Sequence, residues 1–208
     1  KQRLQASVTN GPNKTEKGQK LPEKRKRLAE KKKNKKRNFP SQSLGAAPSQ
    51  DQINRLLGHY QAGRIEEAEA LATLLTQQFA NHPFAWKVLG VVLKQTGRLA
   101  ESLEPMQLAA ALSQQDAEAH NNLGLTLYEL GRFGAAEASY RQAIALKPDY
   151  ADAHNNLGVT LNELGRFDEA EASYVQAVAL KPDYAEAHNN LGVILKELGR
   201  LDEAEASY

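Results

Sequence analysis

Three histidines, His120, His154 and His188, recur 34 residues apart, and each is followed by a pair of asparagines. Three imidazoles could hold zinc if their nitrogens converged at about 2 Å from one ion. Side chains at equivalent points of neighbouring repeats stand about a repeat thickness apart, and Trp86 fills the same position earlier in the chain. The spacing therefore predicts rings packed at a helix interface and no metal site. The asparagines are Asn121 with Asn122, Asn155 with Asn156, and Asn189 with Asn190. An amide both donates to and accepts from a peptide backbone, yet asparagine is a poor helix former because it competes for backbone bonds. Two of them in mid-helix, three times over, point to amides facing a peptide-binding groove. Duplication of a solvated pair is the competing explanation.

Tyr128, Asn162 and Lys196 occupy one position in successive repeats and differ while the frame around them is fixed. Variation of that kind would set ligand preference, and drift on a solvated face would look the same. Glu129, Glu163 and Glu197 follow them, and Leu125, Val159 and Val193 stand near enough to join a groove wall. No carboxylate pair, Ser–His–Asp set or phosphate-cradling glycine loop stands outside the repeat pattern. No catalytic residue and no cofactor are predicted, and an enzymatic role would need its reacting groups in another domain.

The elements that position these residues follow from a self-comparison. The blocks 117–150 and 151–184 are identical at 27 of 34 positions without a gap, and residues 185–208 continue the pattern. A period of 34 residues means a stack of like units that bury their faces on one another. The first helix of a unit runs from about Ala117 to Leu130, with Leu123, Leu127 and Leu130 on one face. Gly124, Gly158 and Gly192 let the partner helix approach the backbone, and Gly131, Gly165 and Gly199 end the first helix. The second helix carries the small residues Ala136, Ala170 and Ala204 beside the rings of Tyr140, Tyr174 and Tyr208. Pro148 and Pro182 stop it. Two degenerate units precede these, 49–82 and 83–116. The first has Leu56 in place of the first-helix glycine and reads as an N-terminal cap, and the second places Pro105 inside its second helix, predicting a kink or a late start.

The fold class expected is all-α, a right-handed solenoid of antiparallel helix pairs over residues 49–208, with no coiled coil. Residues 1–48 differ in kind. Lys1 to Pro40 holds 15 Lys and Arg against 3 Glu, whereas the remainder holds 12 basic and 22 acidic residues. So polar and like-charged a segment cannot offset the entropy of ordering and is expected to be a disordered basic tail and linker. Its runs Lys24–Arg27 and Lys31–Arg37 could meet nucleic acid or an anionic surface, but only Phe39 is near enough to stack, so a solubilising role is preferred. The chain has no cysteine, no apolar stretch long enough to span a bilayer and no secretory-signal pattern, so a cytoplasmic location is expected.

The series of large residue, Leu, Gly, aliphatic, Gly, Ala, aromatic, Ala and Pro at fixed offsets resembles the tetratricopeptide repeat. The NNLG cores and LKPDYAEAHNNLG joints are similar to the repeat region of O-linked N-acetylglucosamine transferases and bacterial proteins like them. That resemblance implies an asparagine ladder of Asn122, Asn156 and Asn190 along a concave face, broken at Val88, holding an extended peptide. It also implies that a catalytic glycosyltransferase domain, if there is one, lies outside these residues. The expected function is a non-catalytic interaction scaffold for an extended peptide or partner helix. The alternative is the substrate-recruiting part of a larger transferase, and in either case the array is expected to continue past Tyr208.

Overall fold

A computed structural model describes residues 47–207. Residues 1–46, which hold most of the expected basic tail and linker, and Tyr208 lie outside the described residues. Within them the backbone is helical throughout, with no strand, and forms ten helices: α1 Gln50–Gln61, α2 Ile65–Gln78, α3 Pro83–Gln95, α4 Leu99–Leu112, α5 Ala117–Glu129, α6 Phe133–Leu146, α7 Ala151–Glu163, α8 Phe167–Leu180, α9 Ala185–Glu197 and α10 Leu201–Ser207. Each helix packs on its neighbours in sequence, and α5 touches α7 and α7 touches α9. The helices form five consecutive pairs stacked as an α-solenoid. No helix among the described residues is long and apolar enough to cross a membrane.

Local chemistry sets the helix limits. Ser49 caps α1 in a reciprocal capping box with Gln52, His82 caps α3 ahead of Pro83, and Asp116 accepts from the amides of Glu118 and Ala119 at the start of α5. Each pair turns through a glycine in the left-handed region, Gly63, Gly97, Gly131, Gly165 and Gly199, with φ between 70° and 76°. A side chain there would be strained, so the turn selects glycine. Of the two outcomes expected of Pro105, the late start does not occur. Helix α4 starts at Leu99, in step with its counterparts, and continues through the proline to Leu112. Pro105 lies in the first half of the helix, where its missing N–H deprives the carbonyl of Glu101, an exposed residue that water reaches.

The core is an exchange of volume between the two helices of a unit. Gly124 and Gly158 lie against the rings of Tyr140 and Tyr174, which are almost completely buried. In the second unit Gly90 faces Met106 instead, and in the first the partners are reversed, with large Leu56 at the glycine position and small Ala72 at the ring position, both fully buried. Met106 and Ala72 mark where the earlier units depart from the later ones. Ala68, Ser102, Ala136 and Ala170, all at zero exposure, form the floor of the same contact.

The second helices are tied across units by guanidinium groups from the glycine turns. Arg98 joins Glu69 of the preceding unit to Glu101 of its own, Arg166 joins Glu137 to Glu169, and Arg200 joins Glu171 to Glu203, at 2.6–2.8 Å. Arg141 adds bonds to Glu137 and Glu169. Arg132 has no such clamp because Leu103 and Ala135 occupy the two carboxylate positions. Burial alone would raise the Glu137 carboxyl, but hydrogen bonds from Arg141 and Arg166 outweigh it and hold it below the ordinary value of 4.5. The hydrogen bond from Arg166 depresses Glu169 in the same direction.

Two outcomes follow from this packing. A methyl group added at Gly124 would sit 2.6 Å from the Tyr140 ring, whereas at Gly90 it would meet the flexible end of Met106 at 2.9 Å. Alanine gains about 1 kcal/mol of helix propensity over glycine, and overpacking a rigid contact costs about 1–3 kcal/mol. Gly124→Ala should therefore lower the thermal midpoint while Gly90→Ala leaves it near the parent value, as followed by circular dichroism. The depressed carboxylates contribute stability above their unfolded value near 4.5, and lose it as pH falls through the lower folded values. The thermal midpoint should thus fall below about pH 4.5, and Glu137→Gln should give a shallower acid limb than the parent chain.

Candidate functional site

The first helices α3, α5, α7 and α9 lie side by side, and the residues singled out in the sequence meet along that row. The two asparagines of a pair do different things. Asn121 and Asn155 are buried, at 6% and 0% exposure, while Asn122, Asn156 and Asn190 are half-buried and Asn189 is exposed. Asn156 donates to Asn121 at 3.2 Å and Asn190 to Asn155 at 3.0 Å, so the second asparagine of one unit binds the first asparagine of the unit before it. Asn155 in turn donates to Glu186 at 3.2 Å. The first asparagine is an inter-unit fastener, and its burial explains why an amide is tolerated in mid-helix: its bonds are satisfied by neighbouring helices. Asn156 and Asn190 each commit one N–H and keep the side-chain oxygen unbonded, whereas the Asn122 side chain makes no hydrogen bond.

The histidines are staples of a different kind. His154 Nε2 lies 3.0 Å from the Pro148 carbonyl and His188 Nε2 2.9 Å from that of Pro182, fixing the turn before each first helix. Trp86 does the same at the corresponding position, donating to the Ala80 carbonyl at 2.8 Å. His120 is the exception, with a buried Nε2 that finds no partner. The turn before it reads Ser-Gln-Gln-Asp rather than Lys-Pro-Asp-Tyr. Among the described residues no three His, Cys, Asp or Glu side chains are grouped to hold a metal ion.

Tyr128, Asn162 and Lys196 sit on the same row, the first two half-buried and the last exposed. Burial first, then the charge and hydrogen bond of Glu163, push the Tyr128 hydroxyl above its ordinary value. In the second unit the equivalent residue is Lys94, paired with Glu129 at 2.7 Å. The variable residue of one unit thus reaches the carboxylate of the next. Lys87 takes the place of a first asparagine and bonds Asp116 at 3.2 Å and Glu118 at 2.8 Å. Burial lowers its ammonium, but those carboxylates more than reverse the effect. Tyr184 is pushed up to about 12 by burial and by the charges of Asp152 and Glu186.

Two of the cavities among the described residues bear on the site. One of about 330 Å3, on the first-helix row, is lined by Val91, Lys94, Gln95, Met106, Asn122 and Leu125. The other, about 430 Å3, lies between α6 and α8 over α7, with Ile144, Leu157 and Leu161 among its lining, and the Arg141–Glu169 ion pair at its edge. Leu125 was a predicted groove residue, and its partners Val91, Lys94 and Met106 were not. Shifting the repeat frame back by 34 residues would have placed Lys94 over Tyr128 and Val91 over Leu125.

Comparison with known proteins agrees with this geometry. The tetratricopeptide repeat family model matches residues 54–117 and 121–174, and a TPR repeat model matches residues 160–199. A crystal structure of MamA aligns with a TM-score of 0.69 at 24% identity, covering 75% of this chain and 85% of that one. YrrB, described as a TPR protein with an unusual peptide-binding site, aligns at 0.67 and 19% identity over 77% of this chain and 82% of its own. PilF of Pseudomonas aeruginosa aligns at 0.69 and 21% over 76% and 72%. At these identities the likeness concerns the fold. No curated protein matches the sequence.

The division of labour between paired asparagines can be measured. Asn155→Ala strands the amide of Asn190 and the fastening to Glu186, and should cost about 1–3 kcal/mol. Asn122→Ala removes no hydrogen bond of the folded chain and should leave the thermal midpoint unchanged or slightly higher. Equal losses in the two variants would contradict the assignment.

Proposed function

The chain belongs to the tetratricopeptide repeat family, and from that premise we propose that residues 49–208 are a non-catalytic interaction scaffold holding an extended peptide or partner helix in the concave groove of the first helices. One observation carries the reading. Asn122, Asn156 and Asn190 recur half-exposed beside Leu125, Val159 and Val193, so amides able to pair with a peptide backbone run alongside apolar contacts, once per unit. Tyr128, Asn162 and Lys196 vary at the margin of that row and supply unit-by-unit preference. Binding of peptides is what the description of YrrB names for that protein, and a row of first helices with free amides would suit such a ligand here.

The substrate-recruiting part of a larger protein O-linked N-acetylglucosamine transferase-like enzyme is the second reading, kept for the repeated NNLG cores. It uses the same groove and differs only in requiring catalytic groups outside residues 49–208.

The test is selection from a random library of twelve-residue displayed peptides against the whole chain. Bound peptides should slow amide exchange in α5, α7 and α9, and replacing Asn122, Asn156 and Asn190 together with alanine should weaken them at least about tenfold, since each lost bond is worth about 1 kcal/mol. Protection confined to α4, α6 and α8, or affinity indifferent to the triple change, would sink the proposal.

A further inference from the structure

The amide ladder that ties the later units lapses where the second unit meets the third. Asn156 finds Asn121 and Asn190 finds Asn155, but the place that Asn122 would reach in the preceding unit holds Lys87, and the Asn122 side chain makes no hydrogen bond in the structure. At the same interruption Met106 stands where later units carry Tyr140 and Tyr174, and the 330 Å3 cavity opens there. Its walls are the apolar Val91, Met106 and Leu125. The ammonium of Lys94 is spent on Glu129 and the amide of Gln95 on the Tyr60 hydroxyl at 3.2 Å. Asn122 is therefore the one uncommitted polar side chain in the lining. A cavity at the lower end of ligand-pocket volumes, apolar and with a single free amide, suits one large uncharged side chain whose own backbone pairs with that amide.

Beyond the cavity the apolar position of Leu125 recurs as Val159 and Val193, the latter 41% exposed. Helices packed side by side are about 8–10 Å apart. An extended polyproline-type chain covers about 9 Å in three residues, so it would present every third side chain to this stripe. Charge then chooses the residues between. Lys87 and Lys94 are both engaged by carboxylates of the third unit. Along α7 and α9, Asp152, Glu163, Glu186 and Glu197 face only one Lys or Arg on those helices, Lys196.

Building on the groove reading above, we propose that the ligand is an extended basic peptide, with a bulky apolar residue seated between α3 and α5, small apolar residues at every third position after it, and Lys or Arg between them over α7 and α9. The carboxylates of α7 and α9 supply the opposite charge, and the cavity at the interruption sets the register.

The probe is a fluorescein-labelled ten-residue peptide with Leu at its first position, Val at the fourth and seventh, Lys at the fifth and eighth, and Ser elsewhere. It is made in both chain directions, alongside versions with Glu for Lys and with Ser for Leu. Anisotropy titrations use the whole chain and its Glu163→Lys/Glu197→Lys variant, both changes being at exposed positions. Because residues 1–40 are themselves basic, the readout is the change between the two proteins for each peptide. The Lys peptide, in one direction or the other, should weaken at least tenfold in the variant while the Glu peptide is unchanged or tighter, and Ser for Leu should weaken binding about tenfold, the size of a lost apolar anchor. A Lys peptide indifferent to the charge reversal, a Leu indifferent to replacement by Ser, or binding by none of the peptides would overturn the proposal. If displayed peptides map to the first helices but are acidic, the groove reading survives and the basic-ligand assignment falls. If they map elsewhere, the groove reading falls first.

Discussion

Everything in the array depends on the first helix being bare where the second helix brings its largest side chain. At Gly124 and Gly158 the absence of a Cβ lets a tyrosine ring lie against the backbone itself, at a distance no other residue permits. That contact brings the two helices of a unit together, and the left-handed glycine at each turn fixes the reversal between them. With helix spacing set inside every unit, the first helices fall into a row and their outward residues register with one another. The amide bonds between units then form because the row exists. The two early units show that the requirement is on summed volume rather than on residue identity, since Leu56 with Ala72 and Gly90 with Met106 fill the same contact in different proportions.

What was legible in the sequence was whatever repeats in place. Helix α5 was expected from about Ala117 to Leu130 and runs from Ala117 to Glu129, and Tyr140 and Tyr174 are buried where the pattern required a ring. Self-comparison aligns each residue with its copy 34 positions away, and so is blind to bonds between different positions of neighbouring units. Asn156 to Asn121 is a step of 35 residues and Arg166 to Glu137 a step of 29. Neither looks periodic in one dimension, though both are lattice bonds in three. The asparagine pair could therefore be seen, but not its split into a buried fastener and a half-exposed partner. Pro105 does not delay the start of its helix, because the carbonyl it leaves without a donor belongs to the exposed Glu101, which solvent can satisfy.

Two lattices hold the stack, and they fail at the same joint. On the second helices the arginine clamp recurs at Arg98, Arg166 and Arg200 and lapses at Arg132, for want of carboxylates at Leu103 and Ala135. On the first helices the amide bond recurs between later units and lapses where Lys87 replaces asparagine. The orphaned nitrogen of His120 lies in the same neighbourhood. In exchange, Lys87 and Lys94 cross the joint to Asp116, Glu118 and Glu129. The ties of this joint have moved from the second-helix side to the first-helix side, into the row where a ligand would lie.

This irregularity has a physical use. On a strictly periodic surface an extended chain can slide by one unit and recover nearly all of its contacts, so a ladder of identical amides gives affinity without register. Asn122, Asn156 and Asn190 alone would accept a ligand in several frames of nearly equal energy. The cavity bounded by Met106 in place of a tyrosine lowers that degeneracy, because it favours the frame that seats a bulky side chain in it. Specificity in such an array resides in the unit that departs from the consensus, and the consensus units supply the rigid, evenly spaced row that makes the departure readable.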